Sequence, residues 1–343
     1  MRVSVVDNQG KPVMPCQPAK ARHLIKSGQA KPKRNKLGIF YIQLTYNIEQ
    51  PNNQPLVVGI DPGSSYEGYS VVGNQDTVLN IMAEAPTHVK DAIGVRRNMR
   101  MARRHRKTWR RPCRENRLCH KIRIPPSTRG RWEAKARIVA QLCKILPLTD
   151  VIVEDVQSAA RIGKGSQWNS RFSPIQVGKE HLYYLLQKLG LELHKNEGWQ
   201  TADLRTRYGL KKSKSKSKQA FDSHCVDSWA MAASLAGASQ PTEKRLYYIT
   251  EIRLYRRQLH RLQPEKGGIR KPYGGTRSLG LKRGTLVNHP KHGLCSVGGF
   301  DRKSNRISLN AYADNKRLTK AGKVGDCALL TFSPYRTKFV HPA

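Results

Sequence analysis

Leu56-Val57-Val58-Gly59-Ile60-Asp61-Pro62-Gly63-Ser64-Ser65 decides the fold. It is a continuous apolar run that ends in an acid and then meets a Pro-Gly turn. A run bounded by turn residues reads as a buried strand. That reading puts the carboxylate of Asp61 at the mouth of a sheet. Gly63 bends the chain without a Cβ, and Ser64 and Ser65 keep the mouth small and polar. Glu67-Gly68-Tyr69-Ser70-Val71-Val72-Gly73 follows as a second strand that returns antiparallel, and Thr77 to Ala83 as the third strand of a meander. Taken alone, the stretch is as well explained by an ordinary strand-turn-strand with a solvated acid. The rest of the chain separates the two.

The 343 residues carry 63 Lys+Arg against 24 Asp+Glu, a formal charge of +39. Such an excess repels itself and adds nothing to the fold, so a polyanion is expected to neutralise it, and nucleic acid is the obvious one. No apolar run approaches the length of a bilayer span and the N-terminus has no signal-peptide pattern, so a membrane partner is not expected. Seven scattered cysteines fit a reducing cytoplasm.

Residues 1–50 read as a small basic module. It has a Val3 to Val6 strand, a Pro12-Val13-Met14-Pro15 corner, a helix opened by Pro18 and stopped by Gly28, and an Ile39 to Leu44 strand. After the meander, Arg96 to Arg123 holds thirteen Lys or Arg and one acid, Glu115. Its first part is built of good helix formers whose charges point all round the helix, leaving no apolar stripe to bury. Arg96, Arg97, Arg100, Arg103, Arg104, Arg106 and Lys107 are therefore expected to contact nucleic-acid backbone, and Arg110 and Arg111 are candidate contacts that could instead pack against the next domain. A helix with Ile138, Leu142 and Ile145 leads to a second strand ending in acid, Val151-Ile152-Val153-Glu154-Asp155. Alternation lets only one of its last two carboxylates face the site. Ser173 and Pro174 open a further helix striped by Leu182, Leu185, Leu186 and Leu189. Lys211 to Lys218 alternates Lys with Ser and reads as a phosphate-facing loop. Next, His224 and Asp227 share one face of a small-residue helix. From Pro264 short strands between glycine turns suggest a small β-barrel-like domain, in which Arg270, Lys271, Tyr273 and Arg277 are candidate nucleic-acid contacts. Cys113, Cys119 and His120 lack the spacing of a zinc ribbon.

If the two acid-ended strands are neighbours, Asp61, Glu154, His224 and Asp227 converge at one sheet edge. Crowded carboxylates need a cation, and hard oxygen ligands suit Mg²⁺, with Mn²⁺ able to substitute. Two such ions about 4 Å apart clamp the attacking and leaving oxygens of a phosphodiester displacement. His224 would orient the water, move a proton or ligate a metal.

Gly59-Ile60-Asp61-Pro62-Gly63, Val153-Glu154 and His224-Cys225-Val226-Asp227 resemble the three split motifs of RuvC-like nucleases of the RNase H fold. The Pro12-Val13-Met14-Pro15 corner resembles the PLMP module of the IscB group, with Val13 in place of the usual Leu, and the Arg96–Arg111 tract resembles its bridge helix. Phe172 to Lys179, Arg256 to His260 and Gly267 to Arg270 also match patterns of that group. Glu154 and His224 are only about 70 positions apart, with no His-Asn-His site between them. The chain is therefore similar to IsrB, the relatives of IscB that lack the HNH domain within the OMEGA RNA-guided nucleases.

That resemblance implies an α/β fold with an RNase H-like (RuvC) split nuclease domain. The implied division is a PLMP module (1–50), RuvC parts at 56–93, 131–160 and 161–240, an Arg-rich bridge and linker (94–123), and a C-terminal β domain (264–343) reading a target-adjacent motif. It implies a monomeric protein in a 1:1 complex with a structured omegaRNA. The guide opens double-stranded DNA into an R-loop and the RuvC site nicks the displaced non-target strand. It further implies two Mg²⁺ ions at Asp61, Glu154, His224 and Asp227, a prokaryotic cytoplasmic, nucleoid-associated setting, and association with an IS200/IS605-type transposable element. A non-catalytic structured-RNA-binding protein on the same scaffold and an RNA-independent junction resolvase are the alternatives.

Overall fold

The first strand of the meander, β5 (Val57–Asp61), runs through the middle of a seven-stranded sheet. In this computed structural model the described residues are 1–105, 124–157, 160–161, 168–169, 173–252, 262–263, 268–269, 277–301 and 303–342. Four strands precede β5: β1 (Val3–Val6), β2 (Pro12–Cys16), β3 (Ala30–Arg34) and β4 (Phe40–Leu44). They form their own sheet in the order β2-β1-β4-β3. Helix α1 (Pro18–Lys26) packs on it through Ala21 and Leu24.

After β5 come β6 (Tyr66–Val72) and β7 (Thr77–Glu84), then α2 (His88–Arg104) and α3 (Pro126–Leu142). The chain continues through β8 (Asp150–Glu154), α4 (Pro174–Gln187), β9 (Glu192–Asn196), α5 (Gly198–Arg207), α6 (Phe221–Ala236) and β10 (Leu246–Glu251). Five strands then pair antiparallel: β11 (Thr285–His289), β12 (Gly293–Asp301), β13 (Arg306–Ala311), β14 (Arg317–Gly322) and β15 (Ala328–Phe332). The last strand is β16 (Tyr335–Val340).

The large sheet has the order β9-β8-β5-β6-β7-β10-β16. β5, β6 and β7 form the antiparallel meander, while β8 runs parallel to β5 and β9 parallel to β8. This order and sense of the first five strands is that of an RNase H-like sheet. Each face is covered by helices. Val58, Ile60, Tyr69 and Val71 pack against Ile138, Val139 and Leu142 of α3 and Leu182 and Leu186 of α4. Val57, Val72, Met82 and Ile152 pack against α6 through Phe221, Val226 and Trp229. Each of these fully buried aliphatic side chains contributes about 1.5–3 kcal/mol. A strand covered on both faces reads as a continuous apolar run, which is why Leu56 to Ile60 shows no alternation.

Two features differ from the sequence reading. β16 leaves the C-terminal region and pairs with β10 in the large sheet, so the 264–343 segment ends inside the central domain. Thr337 and Ser333 also bond to backbone carbonyls of Leu37 and Lys36. The C-terminal strands pair in the linear order β14-β13-β12-β11-β15, an open sheet among the described residues where a barrel-like closure was expected. No helix among the described residues is long and apolar enough to cross a membrane.

Candidate active site

Alternation along β5 places its two special residues. Val58 and Ile60 face α3 and α4, so Gly59 and Asp61 face α6. Gly59 is required there: a Cβ would lie 1.8 Å from the backbone oxygen of Ser228. Gly68, opposite Asp61 in the ladder, is held the same way, with a Cβ 1.9 Å from the oxygen of His224. The backbone of α6 thus lies directly on β5 and β6. Any side chain at either glycine would push the helix outward, and His224 and Asp227 with it.

Ile152 of β8 faces α6, so Glu154 does too, and Asp155 points to the other side. There Lys179 and Tyr183 of α4 take up the Asp155 carboxylate, and Lys179 also donates to the carbonyl of Val156 (2.7 Å). Although burial opposes it, those hydrogen bonds hold the Asp155 carboxyl below its ordinary range. Alternation alone left open which of the two acids faces the site, while the motif resemblance pointed to Glu154; the strand geometry turns Glu154 to that side.

Asp61, Glu154, His224 and Asp227 are thereby brought to one place, at the ends of β5 and β8 and the first two turns of α6. Asp61 is 7 % exposed and Asp227 1 %, so Asp61 is not the solvated strand end of the alternative reading. Burial, then the negative charge of Asp227, push the Asp61 carboxyl up, with Lys212 working against them. Glu154 is pushed up to about 7 by burial and by the charges of Asp61 and Asp227. Crowding of this kind is what separates a functional acid cluster from scattered surface acids.

The chain supplies two cations to the cluster. Arg205 of α5 donates from Nη1 to Asp227 Oδ1 at 2.8 Å. Lys212 reaches in from the Lys/Ser stretch, donating to the other oxygen of Asp227 and to Asp61 Oδ2 at 3.4 Å. Burial pulls the ammonium pKa down, but the facing carboxylates outweigh it and raise it. Four residues on, the carbonyl of Lys216 accepts a 2.7 Å hydrogen bond from His224 Nε2, leaving Nδ1 as the acceptor nitrogen of that ring. The ring of Tyr66 lies 5.3 Å from that of His224. The loop expected to face phosphates is therefore turned inward at Lys212, whose ammonium offsets carboxylates that would otherwise be buried without a counter-charge.

These residues fit a divalent cation. Three carboxylates present hard oxygen donors, and a positive group, the Lys212 ammonium, sits between two of them. A different set, Asp150, Glu192 and His194, has its ligand atoms within 4.8 Å of one another, but at the opposite end of β8 and β9.

The other candidates divide into two groups. Arg96, Arg97, Arg100 and Arg104 are exposed on α2, and Arg103 belongs to the same helix. Arg277 is exposed and donates to the carbonyl of Gly280 (3.0 Å). Arg106, Lys107, Arg110, Arg111, Arg270, Lys271 and Tyr273 lie outside the described residues, as do Cys113, Cys119 and His120. Sequence reasoning missed Arg205 and the individual role of Lys212. One of two Arg in a polar helix and one Lys among five carry no signal of their own; the packing of α5 on α6 singles out Arg205, and the contacts with Asp61 and Asp227 single out Lys212.

Residues 3–166 match the family model described as RRXRR protein. Comparison with curated proteins gives no match. Among solved structures, the chain is similar to "T. thermophilus RuvC in complex with Holliday junction substrate", at 14% identity over 53% of this chain and 93% of that one, with a TM-score of 0.31. The "Thermus thermophilus RuvC structure" gives the same identity and coverage with a TM-score of 0.28.

Proposed function

We propose that this protein is an RNA-guided, divalent-metal-dependent DNA endonuclease of the IsrB kind that nicks the displaced non-target strand. The observation that carries the reading is the convergence of Asp61, Glu154 and Asp227 beneath α6, with a chain cation held between two of them. The RNase H-like strand order, the match over residues 3–166 and the motif resemblance support it. Asp61, Glu154 and Asp227 would hold Mg²⁺ or Mn²⁺ through carboxylate oxygens, with His224 as a further ligand or a proton acceptor. Bound divalent ions lower the barrier to in-line phosphodiester hydrolysis by neutralising charge on the attacking and leaving oxygens.

The chain's own residues do the rest. Arg205 fixes the orientation of Asp227. With Nε2 committed to Lys216, Nδ1 of His224 is the nitrogen left to orient the attacking water and take its proton, or to ligate the metal. The Arg-rich α2, whose described arginines face solvent, neutralises guide-RNA phosphates. Guide pairing reads the target and leaves the opposite strand single and within reach of the site. In this reading the protein acts in the prokaryotic cytoplasm as a 1:1 ribonucleoprotein, and its gene travels with an IS200/IS605-type element.

The test is to purify the full-length protein and sequence any RNA that comes with it. That complex is then assayed on a matched duplex with each strand end-labelled, with and without Mg²⁺. Metal-dependent cutting of one strand, directed by the guide, is expected. Cleavage of junctions without RNA would replace the reading by a resolvase. Retained RNA with no metal-dependent cleavage would replace it by an RNA-binding protein.

A further inference from the structure

A large apolar side chain stands in water beside the acids. Trp199 is 68 % exposed, the most exposed of the large hydrophobic residues described. Trp132 and Trp229 are buried in the two cores, as tryptophans in a folded domain normally are. Trp199 lies in the first turn of α5, immediately after β9. Asn196, the last residue of β9, pairs with Glu154, and its carbonyl accepts from the backbone N–H of Asp155 at 2.6 Å. Gly198 faces Glu154: a Cβ there would lie at van der Waals distance, 3.8 Å, from Glu154 Oε1. The indole is thus carried by the residue next to one that faces a site carboxylate.

The ring is also held. Its Nε1 donates to Glu197 Oε2 at 2.6 Å. Glu197 in turn belongs to a capping box with Gln200, so the turn that carries the indole is fixed at both ends. An exposed indole whose edge is tethered offers its face ready-made, with little rotamer entropy left to lose on contact.

We propose that Trp199 is the stacking platform for a nucleobase of the single strand entering the acid site, next to the phosphodiester held at Asp61 and Glu154. Stacking on one aromatic face tolerates any base, which suits a strand whose sequence is read elsewhere by pairing. The inference rests on the nuclease reading for its substrate, but it is tested by binding.

The experiment uses the full-length protein as purified, with any RNA it carries, and reads the Trp199 fluorescence as the difference between wild type and Trp199→Phe. A thymidine oligonucleotide is titrated against one of equal length and charge that is wholly abasic. Quenching of the Trp199 component by the thymidine strand alone is expected. Trp199→Ala should raise the KM for nicking about tenfold with kcat near wild type, while Trp199→Phe restores most of the loss. Equal quenching by the abasic strand, or none by either, overturns the proposal whatever the cleavage assay shows. Quenching that meets expectation in a protein that never cleaves overturns the nuclease reading and leaves the platform standing.

Discussion

The two ends of β8 carry acids of similar make-up in unlike surroundings. At one end Asp150 meets Glu192 and His194, with His194 Nε2 3.0 Å from Asp150 Oδ1. At the other, Glu154 meets Asp61 and Asp227, with His224 acting on Asp61. By composition either could take a metal. At the first end the Glu192 side chain is 75 % exposed, and a pair in water gains about 0–1 kcal/mol. At the second end the carboxylates are buried, two of their ionisations are hindered, and the chain brings in Arg205 and Lys212 to offset the charge. Proximity of ligand atoms is therefore the weaker criterion. What marks a site is charge held where water cannot stabilise it.

The largest effect expected is at Asp61. Asp61→Ala should reduce strand cleavage at least about a thousandfold while leaving RNA retention near wild type, since one acid among many basic groups contributes little to affinity. Asp150→Asn combined with His194→Ala should leave cleavage within about twofold. The comparison breaks if the second variant loses cleavage and the first does not.

Next is the far side of the same strand end. Lys179 is fully buried against Asp155, and Lys179→Met strands a half-covered carboxylate. A loss of about 3 kcal/mol in denaturant unfolding is expected. An unchanged midpoint would show that Asp155 is solvated after all.

Lys212→Met removes the cation lodged between Asp61 and Asp227. Mn²⁺ affinity, followed by electron paramagnetic resonance at pH 8, should rise about tenfold because the ion no longer competes with a tethered ammonium. Weaker Mn²⁺ binding would mean that Lys212 belongs to the loaded site instead.

The smallest effect concerns stability. The folded Glu154 carboxyl is pushed up to about 7, above the value of about 4.3 for a free glutamate. Between those values the folded chain holds a proton that the unfolded chain has lost, so this group's contribution to stability falls as pH rises, and its cost is complete above pH 7. Burial gives Asp61 the same sign. Glu154→Gln should therefore stabilise the protein in EDTA at pH 8 by on the order of 1 kcal/mol and not at pH 4. A gain of equal size at both pH values would detach the effect from ionisation.

Much of the central sheet was legible because its strands are short apolar runs closed by turns. Val57 to Asp61, Glu67 to Val72 and Val151 to Glu154 all lie in strands, and His224 with Asp227 shares a helix face. β10 was missed although Gly237 to Pro241 supply turn residues before Leu246-Tyr247-Tyr248-Ile249-Thr250-Glu251; its place in the sheet comes from pairing with β7 and β16, which the local pattern does not specify. β16 was assigned to the wrong body because a strand's partner depends on the whole chain path, which local pattern does not encode.

The sequence by itself determined the polyanion-seeking charge, the acid-ended strands and the residue types of the site, because these follow from composition and from periods of two and 3.6 residues. Only the tertiary structure decided that Asp155 turns away to Lys179 and Tyr183, that Gly59 and Gly68 seat α6 on the sheet, and that Lys212 turns inward. Those outcomes depend on burial and on charges brought together from as far as 151 positions apart, as with Lys212 and Asp61. Coulomb energy and desolvation act through space, and a sequence records only order along the chain.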